Sequence, residues 1–188
     1  MQRKKTFYLT FDGAVNLPNT LKILEALQKT NVLATFFVEG QRITGHEDIL
    51  RKMAAAGHHI GNHSFHHPDF DTISAEECLE EISSTDQALK EVLGFRTMLV
   101  RPPCGILPDD RRELLEDAHY KICLWSISVK DWLGPDSSAV ADRTISLAGA
   151  DTVTAVYHDH INWTADTVLK IVPRLRAMGY SIEPIPYD

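Results

Sequence analysis

Short β-rich runs and amphipathic helical patterns alternate along the whole chain. Phe7 to Phe11 reads as a strand, and Asn19 then reads as a helix N-cap ahead of Leu21, Leu24, Ala26 and Leu27 at helical spacing. Val32 to Val38 is a near-continuous apolar run, the pattern of a parallel strand buried on both faces. A helix is expected from about Glu47 to Ala56, closed by Gly57, and His58 to His63 reads as the third strand. Ser74 with Glu77 forms a capping box that opens a helix to about Leu93, stopped by Gly94. Met98 to Arg101 is a fourth strand, cut by Pro102 and Pro103. Helical spacing over Asp109–Ala118 precedes a fifth strand, Ile122 to Ser128. Helices over about Ser137–Leu147 and Thr164–Met178 flank a sixth strand, Thr152 to His158, and Tyr180 to Ile185 is the seventh.

Seven such units with no break in composition predict a single α/β domain over residues 1–188. Repeated helical crossovers make a (β/α)7 barrel the natural closure, with an open doubly wound sheet as the alternative. No Gly-x-Gly-x-x-Gly or Gly-x-x-x-x-Gly-Lys loop follows a strand, which argues against a nucleotide-binding fold.

Composition then narrows the function. A hydrophobic share of 44% over 188 residues is ordinary globular usage and can bury a substantial core. The net charge of -7, with no basic run, excludes a nucleic-acid binder by charge. No run approaches the length of a membrane span. Cys78, Cys104 and Cys123 fit neither a disulfide framework nor a cysteine zinc site and read as reduced thiols. After the basic start, Met1 to Lys5, the run Phe7–Leu9 is too short for a signal-peptide core. The location expected is therefore cytoplasmic as the chain is written, or secreted or periplasmic if a leader has been removed.

Polar residues recur where the predicted strands end. Strand one ends in Asp12, strand three in His63 with His67 just beyond, and strand four in Arg101. Strand five is followed by Asp131-Trp132, and strand six ends in His158-Asp159. In a parallel barrel, functional side chains gather at these carboxyl ends. Each residue has an ordinary structural explanation as well: turn chemistry for Asp12, an ion pair for Arg101, core packing for Trp132, a satisfied buried imidazole for His158. Their joint recurrence is what those explanations leave over. Two neutral imidazoles can hold Zn²⁺ or a similar ion, with positions left for water and a carbonyl. A carboxylate beside an arginine stays ionised and can take a proton, and a histidine paired with an aspartate can donate one. Together these describe metal-assisted hydrolysis of an amide or ester.

In order and spacing, the same residues resemble the motifs of the polysaccharide deacetylase family, the chitooligosaccharide deacetylase homology domain or carbohydrate esterase family 4. Thr10-Phe11-Asp12-Gly13 is similar to its Thr-Phe-Asp-Asp, and Ala34–Val38 to its second strand. His63-Ser64-Phe65-His66-His67 fits His-Ser/Thr-x-x-His, and Arg101-Pro102-Pro103-Cys104-Gly105 resembles Arg-Pro-Pro-Tyr-Gly. Asp131-Trp132 matches the end of Asp-x-x-Asp-Trp, and Val156–Asp159 resembles Leu-Leu-His-Asp. The resemblance runs from Tyr8 to about Pro184 and implies a distorted (β/α)7 barrel that removes N- or O-linked acetyl groups from an oligo- or polysaccharide such as chitooligosaccharide, peptidoglycan or xylan. It also implies roles. Asp12 would be the general base, oriented by Arg101, and His158 the general acid, tuned by Asp131. His63 and His67 would bind a divalent metal, with Zn first and Co, Ni or Mn as alternatives. The Cys104 N–H would stabilise the oxyanion, and Trp132 would line the sugar groove.

One departure outweighs the others. Gly13 stands where the family has the aspartate that is its third metal ligand; Ser128 in place of an aspartate and Cys104 in place of an aromatic are milder. Losing a ligand should cost more than the ~10–100-fold typical of an outer-shell partner. Three outcomes follow: Asp12 moves onto the metal, another group such as His66 or a substrate oxygen completes the shell, or the site stays empty and the protein binds sugar without cleaving it. A metal-independent amidohydrolase acting on a small cyclic amide or ureide on the same fold is a further alternative.

Overall fold

The chain's structure, a computed structural model, describes residues 5–187. Residues 1–4 of the basic start and Asp188 lie outside the described residues. The strands are β1 (Lys5–Gly13), β2 (Thr35–Val38), β3 (His59–Asn62), β4 (Leu99–Val100), β5 (Lys121–Ile122), β6 (Ile127–Ser128), β7 (Thr152–His158) and β8 (Tyr180–Glu183). The helices are α1 (Asn19–Thr30), α2 (Glu47–Ala55), α3 (Ala75–Leu93), α4 (Asp109–Asp117), α5 (Ser137–Leu147) and α6 (Thr164–Ala177). By contact the described residues form two compact units, one holding the chain up to Phe36 with Trp125–Pro186, the other Phe37–Leu124 with Tyr187.

In the first unit β1 lies parallel to β7 on one side, in a register that sets Phe7 opposite Val153, Leu9 opposite Ala155, Phe11 opposite Tyr157 and Asp12 opposite His158. Strict alternation explains why this works: Phe7, Leu9 and Phe11 are fully buried on one face, and Thr10 and Asp12 take the other. β6 extends the sheet beyond β7, and β8 also pairs with β1. Phe11 stacks on Phe36 at a ring separation of 5.0 Å. Each such buried aromatic contributes ~1.5–3 kcal/mol relative to exposure. Helices α1 and α5 both pack on α6.

In the second unit β3, β4 and β5 are parallel neighbours, with Asn62 opposite Val100 and Leu99 opposite Lys121. Phe70, Cys78, Ile82, Val100, Leu115 and Tyr120 form a buried cluster under α3 and α4. The Ser74–Glu77 capping box is present at the start of α3, and Gly94 closes it at a φ of 79°, a conformation that costs only glycine nothing.

Local readings depart from the structure at three places. The run Ile122–Ser128 is not one strand: β5 pairs with β4 and β6 pairs with β7, with the chain turning between them. Apolar content alone cannot reveal such a break, because both pieces are β-rich. β2 starts at Thr35 rather than Val32. The N-cap of α1 is Pro18, and the Asn19 amide instead donates to the His160 carbonyl and to Asn162 Oδ1 at 3.2 and 3.1 Å. Among the described residues no helix is long and apolar enough to cross a membrane.

Candidate active site

The first unit assembles Asp12, Asp131, Trp132 and His158. The β1–β7 register alone brings Asp12 beside His158, since the two are direct partners near the carboxyl ends of their strands. Asp131 has no solvent exposure. Its Oδ2 accepts the His158 backbone N–H at 2.7 Å, and its Oδ1 accepts from His158 Nδ1 at 2.9 Å. A carboxylate can only accept, so the proton sits on Nδ1 and Nε2 is the atom that exchanges with a reactant. Burial by itself would lower the His158 pKa; the hydrogen bond and charge of Asp131, helped by Asp12 and Asp159, outweigh it, and the pKa lies above the ordinary imidazole value. The Trp132 ring meets His158 edge-on at 5.1 Å and is 47% exposed, a half-open aromatic face rather than a core residue.

The second unit assembles His63, His67, Arg101 and Cys104. His63 follows directly on β3 and is buried, and its Nδ1–H donates to the Arg101 carbonyl at 2.8 Å. That bond places a proton on Nδ1, the tautomer in which the Nε2 of a neutral imidazole can serve as a metal ligand. The His67 ring lies 4.8 Å from that of His63. Getting there requires Ser64 and His67 to adopt positive φ, 62° and 61°, at a cost of order 1–3 kcal/mol each. Arg101 is fully buried, donates from Nε to the Cys123 carbonyl at 2.8 Å, and sets its guanidinium 4.1 Å from the Phe37 ring centre. Cys104, at φ 55°, sits in a turn closed by the Gly105 and Ile106 amides, so those closing bonds do not use its own N–H. Its thiol is exposed and is pushed up by desolvation and by Asp69, whereas burial lifts the thiols of Cys78 and Cys123 to about 11. None of these sulfurs is set up as a thiolate.

The donor chemistry of His63 and His67 suits a divalent metal ion such as Zn²⁺. The protein ligand set stops there: among the described residues no group of three His, Cys, Asp or Glu is placed to hold an ion. Gly13, where the sequence resemblance expects an aspartate, has a φ of 95°, followed by Ala14 at 25° and Val15 at 80°.

Two further residues support the site in the first unit. Asp159, buried, accepts from the Asn16 N–H at 2.7 Å and from Thr20 Oγ1 at 2.6 Å, and so ties down the loop that follows Asp12. The indole of Trp163 donates to the Asp131 carbonyl at 3.1 Å. Asp159 belongs to the His-Asp pair quoted above and was within reach of the sequence; Trp163 was not, being a single tryptophan in the loop between β7 and α6, outside any of the motifs.

The family model described as polysaccharide deacetylase matches residues 1–123. The peptidoglycan-N-acetylmuramic acid deacetylase PdaC of Bacillus subtilis is 34% identical over 179 residues, which is 95% of this chain but 38% of that protein. The chain thus spans well under half of that relative's length. The solved Bc1960 peptidoglycan N-acetylglucosamine deacetylase superposes with a TM-score of 0.94 at 27% identity, covering 99% of this chain and 88% of that one. A mutant of BA3943, described as a CE4 family pseudoenzyme with restored enzymatic activity, gives a TM-score of 0.91 at 25% identity, with 98% and 67% covered. The fold class expected from the sequence, an α/β distorted (β/α)7 barrel, holds.

Proposed function

The chain belongs to the polysaccharide deacetylase family, and from that premise we propose that it is a hydrolase that removes acetyl groups from N-acetylated sugars of an oligo- or polysaccharide, peptidoglycan first among them. The observation that carries this reading is the Asp131–His158 pair. A buried carboxylate that fixes one tautomer and favours the protonated imidazole is the equipment of a general acid. A protein that only binds sugar gains nothing from it.

In this reading Asp12 takes a proton from a water molecule whose oxygen adds to the acetyl carbonyl carbon. The Cys104 N–H donates to the oxygen that gains charge as the carbonyl π bond opens. His158 then gives its proton to the sugar nitrogen as the carbon–nitrogen bond breaks, leaving acetate and a free amine. Trp132 offers its face to the apolar side of a pyranose. His63 and His67 would hold the divalent ion on which the family generally depends, and such an ion lowers the pKa of water and polarises a carbonyl.

Acetate release from N-acetylated peptidoglycan fragments and chitooligosaccharides, with added Zn²⁺ or Co²⁺, tests the proposal. Release by the wild type that is lost in His158→Ala supports it. No release on any of these substrates overturns it. Gly13 favours one other reading, a saccharide-binding relative impaired in catalysis. That reading requires sugar affinity that a chelator leaves unchanged and that falls on Trp132→Ala, without acetate release.

A further inference from the structure

The segment that carries the histidine pair is stitched to its surroundings along both edges of its backbone. On the carbonyl edge, Gly40 N–H donates to the Ser64 carbonyl at 2.9 Å and Gln41 N–H to the Phe65 carbonyl at 3.1 Å. Gly40 must be glycine for this, because a Cβ there would fall 2.3 Å from the Phe65 ring. The amide edge depends on one side chain. Glu81 of α3 accepts the Phe65 N–H at 2.8 Å and the His66 N–H at 2.7 Å on Oε2, and His66 Nδ1–H at 2.7 Å on Oε1. The near end of the segment is held separately: Asn62 donates to Asp86 and to the Ile82 carbonyl, which turns its Oδ1 toward the Ser64 N–H. Ser64 Oγ in turn accepts the His67 N–H at 3.0 Å.

We propose that Glu81 is a positioning residue that sets the spacing of His63 and His67. His63 follows β3 directly and is held by the Arg101 carbonyl; His67 reaches its place only because Ser64 and His67 itself hold positive φ. The carboxylate on the two middle amides of that path keeps those residues from relaxing. Glu81 touches neither imidazole of the pair, so its effect on them is indirect.

The inference rests on reading His63 and His67 as a ligand pair, and its test needs no metal. In the metal-free protein, a nuclear Overhauser cross-peak between the His63 and His67 ring protons reports their 4.8 Å separation. Glu81→Ala is the perturbation, and since alanine is the strongest helix former, α3 persists. The expected result is loss of that cross-peak together with ~10-fold or faster hydrogen exchange at the Phe65 and His66 amides. Amides of β3 and α3 should exchange as in the wild type. Glu81→Gln, whose amide oxygen can accept both N–H groups, should restore the cross-peak. A cross-peak unchanged in Glu81→Ala, or lost equally in Glu81→Gln, overturns the proposal. Acetate release is a separate measurement: an inactive protein that shows this pattern overturns the hydrolase reading alone.

Discussion

Replacing Asp131 by asparagine separates the electrostatic work of this residue from its packing. Asparagine has the same shape, so the pocket stays filled, but its amide presents one acceptor and one donor where the carboxylate presents two acceptors. If its oxygen keeps the His158 backbone N–H, its NH₂ faces Nδ1, which must then give up its proton. The imidazolium therefore exchanges a charge-assisted bond, worth ~1.5–3 kcal/mol, for none or for a neutral one worth ~0.5–1.5 kcal/mol. The net loss to the cation is about 1–3 kcal/mol on those figures. With that term gone, burial is opposed only by Asp12 and Asp159, and His158 titrates at lower pH than in the wild type. Two measurements check this. Imidazole NMR should show the fall directly, and the alkaline limb of acetate release should move to lower pH. Stability follows with a definite sign. A raised folded pKa contributes stability that is fully present below the usual imidazole value of about 6.5 and is lost as pH rises through the folded value. The excess of wild-type over Asp131→Asn stability in urea should thus be largest on the acid side of neutrality and narrow as pH rises. A His158 pKa that stays put or rises in the variant refutes the assignment of Asp131 as the tuning group.

Other variants address the remaining groups. Gly13→Asp should tighten Zn²⁺ binding in calorimetry by at least ~10-fold, at a stability cost of about 1 kcal/mol or more for a Cβ at φ 95°. No gain in affinity would mean that position 13 does not face the ion. Trp132→Ala should weaken oligosaccharide binding while changing the urea midpoint little, since a half-exposed side chain contributes within about 0.5 kcal/mol; unaltered affinity would remove Trp132 from the groove. Arg101→Lys should destabilise the fold by about 2–3 kcal/mol, because an ammonium cannot both bond the Cys123 carbonyl and stack on Phe37. A urea midpoint equal to the wild type would show that stacking and fork geometry carry no weight there.

Hydrophobic period and strand-end chemistry were enough to determine the α/β class, the general alternation of helices and strands, and the identity of the polar residues near strand ends. These are local properties: a run such as Val32–Val38 or a box such as Ser74–Glu77 acts through neighbours a few residues away. That Gly13 stands where the family resemblance expects an aspartate was equally plain, since it needs only residue identity. What lay beyond the sequence is everything set by register and by partners distant along the chain. The pairing of β1 with β7 places Asp12 opposite His158, across almost the whole chain length. The break of Ile122–Ser128 into β5 and β6 arises because each half finds a different partner strand. Glu81 reads as one more solvent-facing glutamate of an acidic helix, and only folding brings its carboxylate onto the amides of Phe65 and His66. Backbone N–H groups look alike in any sequence; which of them are left for a side chain to satisfy is decided by the tertiary structure.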